Sequence, residues 1–457
     1  MMNSITTNTN IEFKPSAFSH FCIDGNEVIL YNSLYGVNSL NKYVGENKAI
    51  AIEYMQEERI ANSNNPVLQS LINNKYVVPF ELNEKMVLNK LFLKFSGNSI
   101  LHLVILPTEQ CNFRCKYCYE NFNRGRMPKE IIDSIILFVR KNIHRYSGLK
   151  VSWFGGEPSL EIDTICDMSQ KFIQICKTAK RKYWANITSN GYLIDINNFK
   201  KLYQSNIFTY QITIDGIEST HDQQRVLGNG NGSFGKIIDN LLQIKHSDDC
   251  KHWQIILRTN FSKPIYEHID EYISFYNDIF GDDNRFSFFF RPAGDWGGER
   301  VKAYSDNLLH CDGFDQIFLK LREHEKTLNI SRHISFINPG GSMCLASNAN
   351  TFLIDSSGQI RKCTCHLDDK NNCIGQVNAN GLFELDQYKE SEWLKGRWDS
   401  SKCHDCFFLP SCLNAACPAN YVLSRGDTNI CRVYEKKHLD SILKVFNKNG
   451  WIPEASL

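Results

Sequence analysis

The sequence lacks both kinds of apolar segment that would take a chain out of the cytoplasm. None of its apolar runs reaches the length needed to cross a membrane, and no apolar signal segment precedes its cysteine-rich parts. The stretch IIDSIILFVRKNI is broken by charged residues at helical spacing, which is typical of a helix that packs on a core. These absences predict a cytoplasmic protein whose thiols are reduced.

The sequence also lacks an excess of charge of either sign. Lys plus Arg number 51 and Asp plus Glu number 50, so no net field would attract nucleic acid or an acidic membrane surface. We therefore expect neither as a partner. With 457 residues and 42% hydrophobic content, the chain is long enough for a large core and for two or three domains.

Cysteine is abundant, but a fourth thiol is missing where three stand together. The chain has 17 cysteines, and the segment CNFRCKYC contains Cys111, Cys115 and Cys118. Four thiolates at such spacing would indicate a closed zinc site, and an odd number in a reduced compartment argues against disulfides. Two interpretations remain open: an iron–sulfur cluster with one iron free of protein ligands, or three unrelated buried thiols.

Strand-like and helix-like segments alternate from about Leu101 to Pro292, which predicts a parallel sheet or an open (βα) barrel. Chemistry in such folds occurs at the carboxyl ends of the strands. The polar or glycine-rich positions expected there are Cys111, Gly155 to Glu157, Asn190, Asp215 and Asn260. This coincidence favours an active site at the cysteine triplet over a cluster of purely structural cysteines. Up to about Glu81 this alternation of strands and helices is absent. The segments HFCIDGN and EVILYNS predict short strands of a small α+β module there.

The spacing of CNFRCKYC resembles that of radical S-adenosylmethionine (SAM) enzymes, in which three Cys hold a 4Fe-4S cluster and SAM chelates the fourth iron. The resemblance implies that Cys111, Cys115 and Cys118 are the cluster ligands and that Tyr117 belongs to the cofactor site. It also implies reductive cleavage of SAM to a 5'-deoxyadenosyl radical that abstracts hydrogen from a substrate. An external one-electron reductant such as flavodoxin or ferredoxin is then expected.

Three further segments resemble this family in the expected order. FGGEP is similar to the turn that approaches the methionine amine, TSNG to the ribose-contacting turn, and HDQQR to the segment whose Arg meets the methionine carboxylate. Each alone is also ordinary turn or surface chemistry. The cofactor-binding residues implied are Gly155, Gly156, Glu157, Ser189 and Arg225; no catalytic residue is indicated.

The C-terminal cysteines resemble the SPASM extension, which binds auxiliary iron–sulfur clusters. The resemblance implies two more 4Fe-4S clusters, for a total of three: one held by Cys344, Cys363 and Cys417, the other by Cys403, Cys406, Cys412 and Cys431. Four residues separate Cys412 from Cys417, where the family usually has three. The fourth iron of the first cluster is open to substrate unless Cys365 or Cys373 fills it, and a zinc ribbon on the Cys403 and Cys406 pair is the alternative.

Together these resemblances imply a partial (βα)6-type radical SAM barrel with a small N-terminal α+β module and a C-terminal SPASM domain. The expected domains are a peptide-recognition-like module at 1–90, the barrel at 91–330 and the auxiliary-cluster domain at 331–457. The expected function is maturation of a ribosomally synthesised precursor peptide, bound through its leader, with thioether crosslinks formed from Cys. The alternatives are a carbon–carbon crosslinking or epimerising maturase, an anaerobic sulfatase maturase that forms formylglycine, or a non-catalytic iron–sulfur electron carrier.

Overall fold

The structure is a computed structural model. It describes residues 11–97, 99–295, 298–309, 319–321, 323–324, 328, 335–394, 403, 405–413, 417–423 and 434–457. The predicted ligand Cys431 lies outside these residues.

The N-terminal part consists of two small antiparallel sheets and two helices. Its elements are β1 (Glu12–Pro15), β2 (Ser19–Asp24), β3 (Glu27–Asn32), β4 (Asn41–Val44), α1 (Gly45–Gln56), β5 (Ile60–Ala61), α2 (Pro66–Asn73) and β6 (Val77–Pro79). The sheet orders are β5-β1-β6 and β2-β3-β4. The two strands predicted from HFCIDGN and EVILYNS are confirmed as β2 and β3. A turn with Gly25 at φ +55° joins them, a conformation that glycine adopts without steric cost.

The central part is a six-stranded parallel sheet in chain order, entered through α3 (Glu84–Ser96). Its strands are β7 (Ile100–Ile105), β8 (Gly148–Trp153), β9 (Lys182–Ser189), β10 (Ile207–Thr213), β11 (Gln254–Phe261) and β12 (Phe286–Pro292). Its helices are α4 (Lys129–Asn142), α5 (Ile162–Thr178), α6 (Ile196–Gln204), α7 (Glu218–Gln224), α8 (Phe234–Lys245), α9 (Lys263–Glu267) and α10 (Ile269–Phe280), followed by α11 (Glu299–Ala303). This arrangement confirms the predicted fold class.

The two faces of the parallel sheet differ in polarity. On one face, buried apolar side chains such as Leu103, Val151 and Leu257 belong to the main hydrophobic core. Burial of each such side chain contributes about 1.5–3 kcal/mol to stability. The opposite face carries polar side chains such as Gln211, Arg258 and Asn260. We call it the concave face, because a parallel sheet with helices on its outer side curves into an open barrel.

The C-terminal part extends the same sheet. Its strands are β13 (Thr351–Ile354), β14 (Gln359–Arg361), β15 (Cys373–Val377) and β16 (Phe383–Leu385), and its helices are α12 (Gln387–Leu394), α13 (Leu409–Cys412), α14 (Ala419–Val422), α15 (Tyr434–Lys437) and α16 (Leu439–Lys448). Strand β13 pairs parallel with β7, and β14 to β16 continue as an antiparallel meander. The sheet therefore contains strands from both sides of the predicted domain boundary at residue 330, and the predicted boundary at residue 90 falls within α3. The domain boundaries remain predictions.

The N-terminal sheets are tied to the C-terminal part of the chain. Lys42 of β4 bonds through its backbone to Pro453 (3.0 Å) and Ala455 (2.9 Å), so the outer edge of β4 is already paired. The buried Tyr31 hydroxyl donates to the carbonyl of Ile337 at 2.6 Å. Among the described residues, no helix has the length and apolar character needed to span a membrane.

Candidate active site

The cysteine triplet lies in the loop that follows β7, at the carboxyl edge of the parallel sheet. Backbone bonds hold this loop against the chain after α7: Arg114 N to Val226 O (2.8 Å) and Lys116 N to Gln224 O (2.9 Å). Phe113 is 1% exposed and anchors the loop in the core. The loop therefore has a defined shape that its own packing maintains.

The three thiols are free, half-buried and close enough to influence one another. Burial, together with repulsion from the neighbouring Cys115, raises the pKa of Cys118 to about 12. Burial likewise raises the pKa of Cys111, with added repulsion from Glu157 and Cys115. Without a bound metal, the thiols are therefore protonated, and metal binding must release their protons. Among the described residues, no three His, Cys, Asp or Glu side chains converge as a site for a single metal ion.

The glycine-rich turn after β8 packs directly on the chain that leads into the triplet. A Cβ on Gly156 would lie 2.4 Å from the carbonyl oxygen of Gln110, and one on Gly155 would lie 2.3 Å from that of Thr108. Gly155 also has φ +123°, which disfavours any other residue. Their expected contact with the methionine amine remains a prediction. The structure shows that these glycines leave room for the protein's own backbone.

Glu157 joins the ends of β8 and β9. Its carboxylate is 1% exposed and accepts bonds from Ser189 Oγ (2.7 Å), Asn190 N (2.6 Å) and Ser159 N (2.9 Å). Burial raises the pKa of Glu157, while these bonds favour the charged form. Ser189 was expected to contact ribose, but its hydroxyl proton is directed at Glu157. A role as donor to ribose would require that proton to leave the carboxylate.

Arg225 belongs to a second polar network beside the triplet. Its Nη1 donates to the Tyr117 hydroxyl at 2.7 Å, and that hydroxyl donates to Asp215. The backbone N–H of Asn260 also bonds to Asp215, at 2.8 Å. Nε of Arg225 is shielded from solvent and has no hydrogen-bond partner among the described residues. An anion beside this Nε would satisfy it.

Residues 105–252 match the Radical SAM superfamily. The chain therefore contains a radical SAM domain at these residues. A cysteine-type anaerobic sulfatase-maturating enzyme of Clostridium novyi is 25% identical to it over 343 residues, which are 68% of this chain and 86% of that protein.

Two solved structures share the fold of this chain at low sequence identity. Native anSMEcpe with bound AdoMet and Cp18Cys peptide superposes with a TM-score of 0.58 at 15% identity, covering 77% of this chain and 97% of that chain. Streptococcus suis SuiB bound to S-adenosylmethionine gives a TM-score of 0.50 at 16% identity, covering 90% of this chain and 97% of that chain. The fold is thus similar to that of SPASM-type maturases.

The residues around the triplet fit the cofactors of a radical SAM enzyme. Cys111, Cys115 and Cys118 supply three thiols for a 4Fe-4S cluster, and the unpartnered Nε of Arg225 suits the carboxylate of SAM. When bound, the cluster and SAM supply a 5'-deoxyadenosyl radical. The contribution of this chain is to hold three strand ends together: Asn190 bonds to Asn112 of the cysteine loop at 2.8 Å, and Glu157 joins β8 to β9.

Several C-terminal cysteines also come together. Cys344 interacts electrostatically with Cys417 and with Cys365. The thiols of Cys363 and Cys365 share a hydrogen bond, which raises the pKa of Cys363 and lowers that of Cys365. Cys373 bonds instead to the carbonyl of Gly375 at 3.5 Å. Of the two residues considered as a fourth ligand, Cys365 is therefore the one that meets this group.

The second predicted set is described only in part. Cys403 and Cys406 are joined by a turn in which Cys406 N donates to Cys403 O at 3.2 Å. Cys412 ends the short helix α13 and is 9% exposed. The cluster assignments of these three residues remain predictions.

Residues without a motif also face the site. Glu120 lies two residues after Cys118, and its Oε2 is shielded and has no hydrogen-bond partner among the described residues. Burial raises the pKa of Glu120 to about 8, with Glu109 adding repulsion. The hydroxyl of Tyr119 interacts with Cys365, which brings the two cysteine groups close together. Proximity to Cys118 was the only signal in the sequence for either residue.

Proposed function

We propose that this radical SAM enzyme modifies a ribosomally synthesised precursor peptide and that the modification is a thioether crosslink formed from Cys. The observation that carries the proposal is the folded module at residues 12–79, ahead of the radical SAM domain. SuiB covers a larger share of this chain than anSMEcpe does, 90% against 77%, in keeping with an additional module. The anSMEcpe structure that holds a Cp18Cys peptide beside AdoMet supports a peptide substrate.

The leader of such a peptide needs a docking place on the module. One known mode of peptide binding adds the extended peptide as a strand to a free sheet edge. The outer edge of β4 is already paired with residues 453–455, so a leader could bind there only by displacing them. A cavity of about 590 Å³ lies instead at the ends of β1, β5 and β6, where Glu12, Asn62 and Phe80 line it. Main-chain groups at strand ends and an apolar ring suit an extended peptide. We assign the leader to this cavity.

The thioether proposal rests on ligand number. Cys344, Cys363 and Cys417 offer three ligands to a first auxiliary cluster, which leaves one iron for a substrate thiol if Cys365 is not a ligand. Cys365 meets both Cys363 and Tyr119 of the barrel, so its ligation would close this iron and remove the basis for the thioether. Formation of the crosslink removes one hydrogen atom from carbon, taken by the 5'-deoxyadenosyl radical. The thiol loses a proton and an electron, and an oxidised iron–sulfur centre is the acceptor class required.

The first observation to make is whether the neighbouring reading frame encodes a short cysteine-rich peptide. Such a peptide is then incubated anaerobically with the reconstituted enzyme, SAM and a flavodoxin or ferredoxin reductant. Mass spectrometry should show the loss of two hydrogens per crosslink and a Cys that iodoacetamide no longer alkylates. A product whose cysteines all still react would remove the thioether and favour carbon–carbon crosslinking or epimerisation.

Leader docking is tested separately by substitution, because the module shares core with the rest of the chain and its deletion would remove buried residues such as Tyr31 from that core. Phe80→Ala should weaken leader affinity while uncoupled cleavage of SAM continues. Tyr388→Ala, which removes an aromatic ring that is 75% exposed on α12, is the control. Equal leader affinity in both variants would reject the cavity.

Sulfatase maturation is the second candidate, favoured by the similarity to the Clostridium novyi enzyme. A sulfatase-derived cysteine peptide should then be converted to formylglycine in the same assay. Conversion of that peptide, with no reaction on the neighbouring precursor, would replace the peptide-maturase proposal.

A further inference from the structure

Arg258 lies on the concave, polar face of the parallel sheet. Burial alternates along β11: Ile255, Leu257 and Thr259 are buried, and the residues between them are less so. Arg258 stands level with Thr213 of β10 and Phe289 of β12. Because paired residues of parallel strands point to the same face, its side chain faces the space that the helices leave open.

The surroundings of Arg258 connect the two cysteine groups. Its guanidinium interacts electrostatically with Tyr119, which follows the last Cys of the triplet, and with Cys365 of the C-terminal group. Arg291 and Phe289 both lie on β12. The guanidinium of Arg291 lies 4.9 Å from the centre of the Phe289 ring, and that of Arg258 lies 5.8 Å from the same ring. The concave face therefore carries two cations beside the cofactor loop.

No acidic side chain of the described residues forms an ion pair with Arg258. Its Nε donates to the neutral Asn260 Oδ1 at 3.1 Å. Arg258 interacts electrostatically with the carboxylate of Asp215, whose oxygens already accept bonds from Tyr117 and from the backbone of Asn260. Burial lowers the pKa of Arg258, and Arg291 lowers it further.

Arg258 is only part-buried and makes no carboxylate ion pair among the described residues, and arginine is suited to bidentate carboxylate binding. Arg225, not Arg258, offers the unpartnered nitrogen beside the triplet that suits the carboxylate of SAM. Arg258 is therefore available to a different anion, and a peptide entering the concave face would bring one as an acidic side chain.

We propose that Arg258 binds a carboxylate of the substrate peptide, so that the enzyme selects an Asp or Glu side chain beside the segment it modifies. This inference rests on the proposed function, since it requires a peptide in the concave face. Arg258 is a specificity residue in this account and takes no part in cleaving SAM.

The test compares two short synthetic peptides that contain Cys and differ only in one Asp or Asn. Their Kd values are measured anaerobically with SAM-loaded wild-type enzyme, Arg258→Gln and Arg258→Lys. Arg145→Gln is the control, because it removes one exposed surface charge. The wild type and the control should prefer the Asp peptide by roughly 10- to 100-fold, the range of a charged hydrogen bond. Arg258→Gln should abolish that preference, and Arg258→Lys should retain part of it.

Three results would overturn the inference. The wild type could bind both peptides equally or bind neither, or the preference for the Asp peptide could survive in Arg258→Gln. The third result is a tenfold loss of SAM affinity in Arg258→Gln. The last result would assign Arg258 to SAM. The proposed function is judged separately by mass spectrometry of the products. A modified Asn peptide with no Asp preference would leave that function standing and reject this inference alone.

Discussion

Replacement of Gly156 by alanine should misplace the cysteine loop. The added Cβ would lie 2.4 Å from the carbonyl oxygen of Gln110 and 2.5 Å from that of Glu109. An ordinary C···O contact is about 3.3 Å or more, so the loop or the turn must move by roughly 0.9 Å. Gly156 does not have positive φ, so alanine fits its backbone conformation and the contact alone causes the effect.

Overpacking of this kind costs about 1–3 kcal/mol of stability, and a misplacement near 1 Å lowers a rate by roughly 100-fold. We expect Gly156→Ala to form 5'-deoxyadenosine about 100-fold more slowly, even in samples matched for iron content. Chromatography of the reaction mixture measures the rate, and thermal unfolding measures the stability.

Gly235→Ala is the matched control, because a Cβ at this position on α8 meets nothing within 4 Å. It should be neutral or more stable by up to about 1 kcal/mol, since alanine favours helix. The reasoning is refuted if Gly156→Ala equals this control in iron content, unfolding temperature and rate.

Two further predictions concern stability. Glu157→Gln should destabilise the protein by about 1–3 kcal/mol in denaturant unfolding, because an amide NH2 would face the N–H of Asn190 or Ser159 in a buried site; stability equal to wild type would contradict the network. Burial and the charge of Lys150 lower the pKa of His102 to about 3 in the folded protein. In the unfolded chain the pKa of His is about 6.5, so as the pH decreases below this value the unfolded state gains a proton first and the folded protein loses stability. Between pH 7.5 and 5.5 this loss is about 1.4 kcal/mol and should be absent in His102→Gln; equal slopes in both proteins would contradict it.

The barrel could be predicted from sequence because its evidence is local. Each strand from β7 to β12 is an apolar run followed by turn residues, and helices of regular period separate the strands. The short strand β13 could not be anticipated in the same way: it has four residues, and its partner β7 is far away in the chain. The pairing of Ala455 with Lys42 is equally remote in sequence, so only the folded chain shows that the edge of β4 is covered.

The candidate site was predictable where spacing carries chemistry, as at the cysteine triplet. The motifs predicted which residues lie at the site but not where their side chains point. The Ser189 hydroxyl is directed at Glu157, and the glycine turn meets the backbone of Gln110, because of contacts between strand ends that no local pattern encodes. Arg258 has no motif at all, and its face of the sheet became evident only from its register with Phe289.

The most direct test of the central claim is 5'-deoxyadenosine formation by Cys115→Ala, reconstituted anaerobically with dithionite and SAM. All the C-terminal cysteines remain, so the auxiliary sites can still load iron. Cys166→Ala, on α5 and outside both cysteine groups, should cleave SAM at the wild-type rate. The account predicts no 5'-deoxyadenosine from Cys115→Ala; formation near the wild-type rate would contradict it.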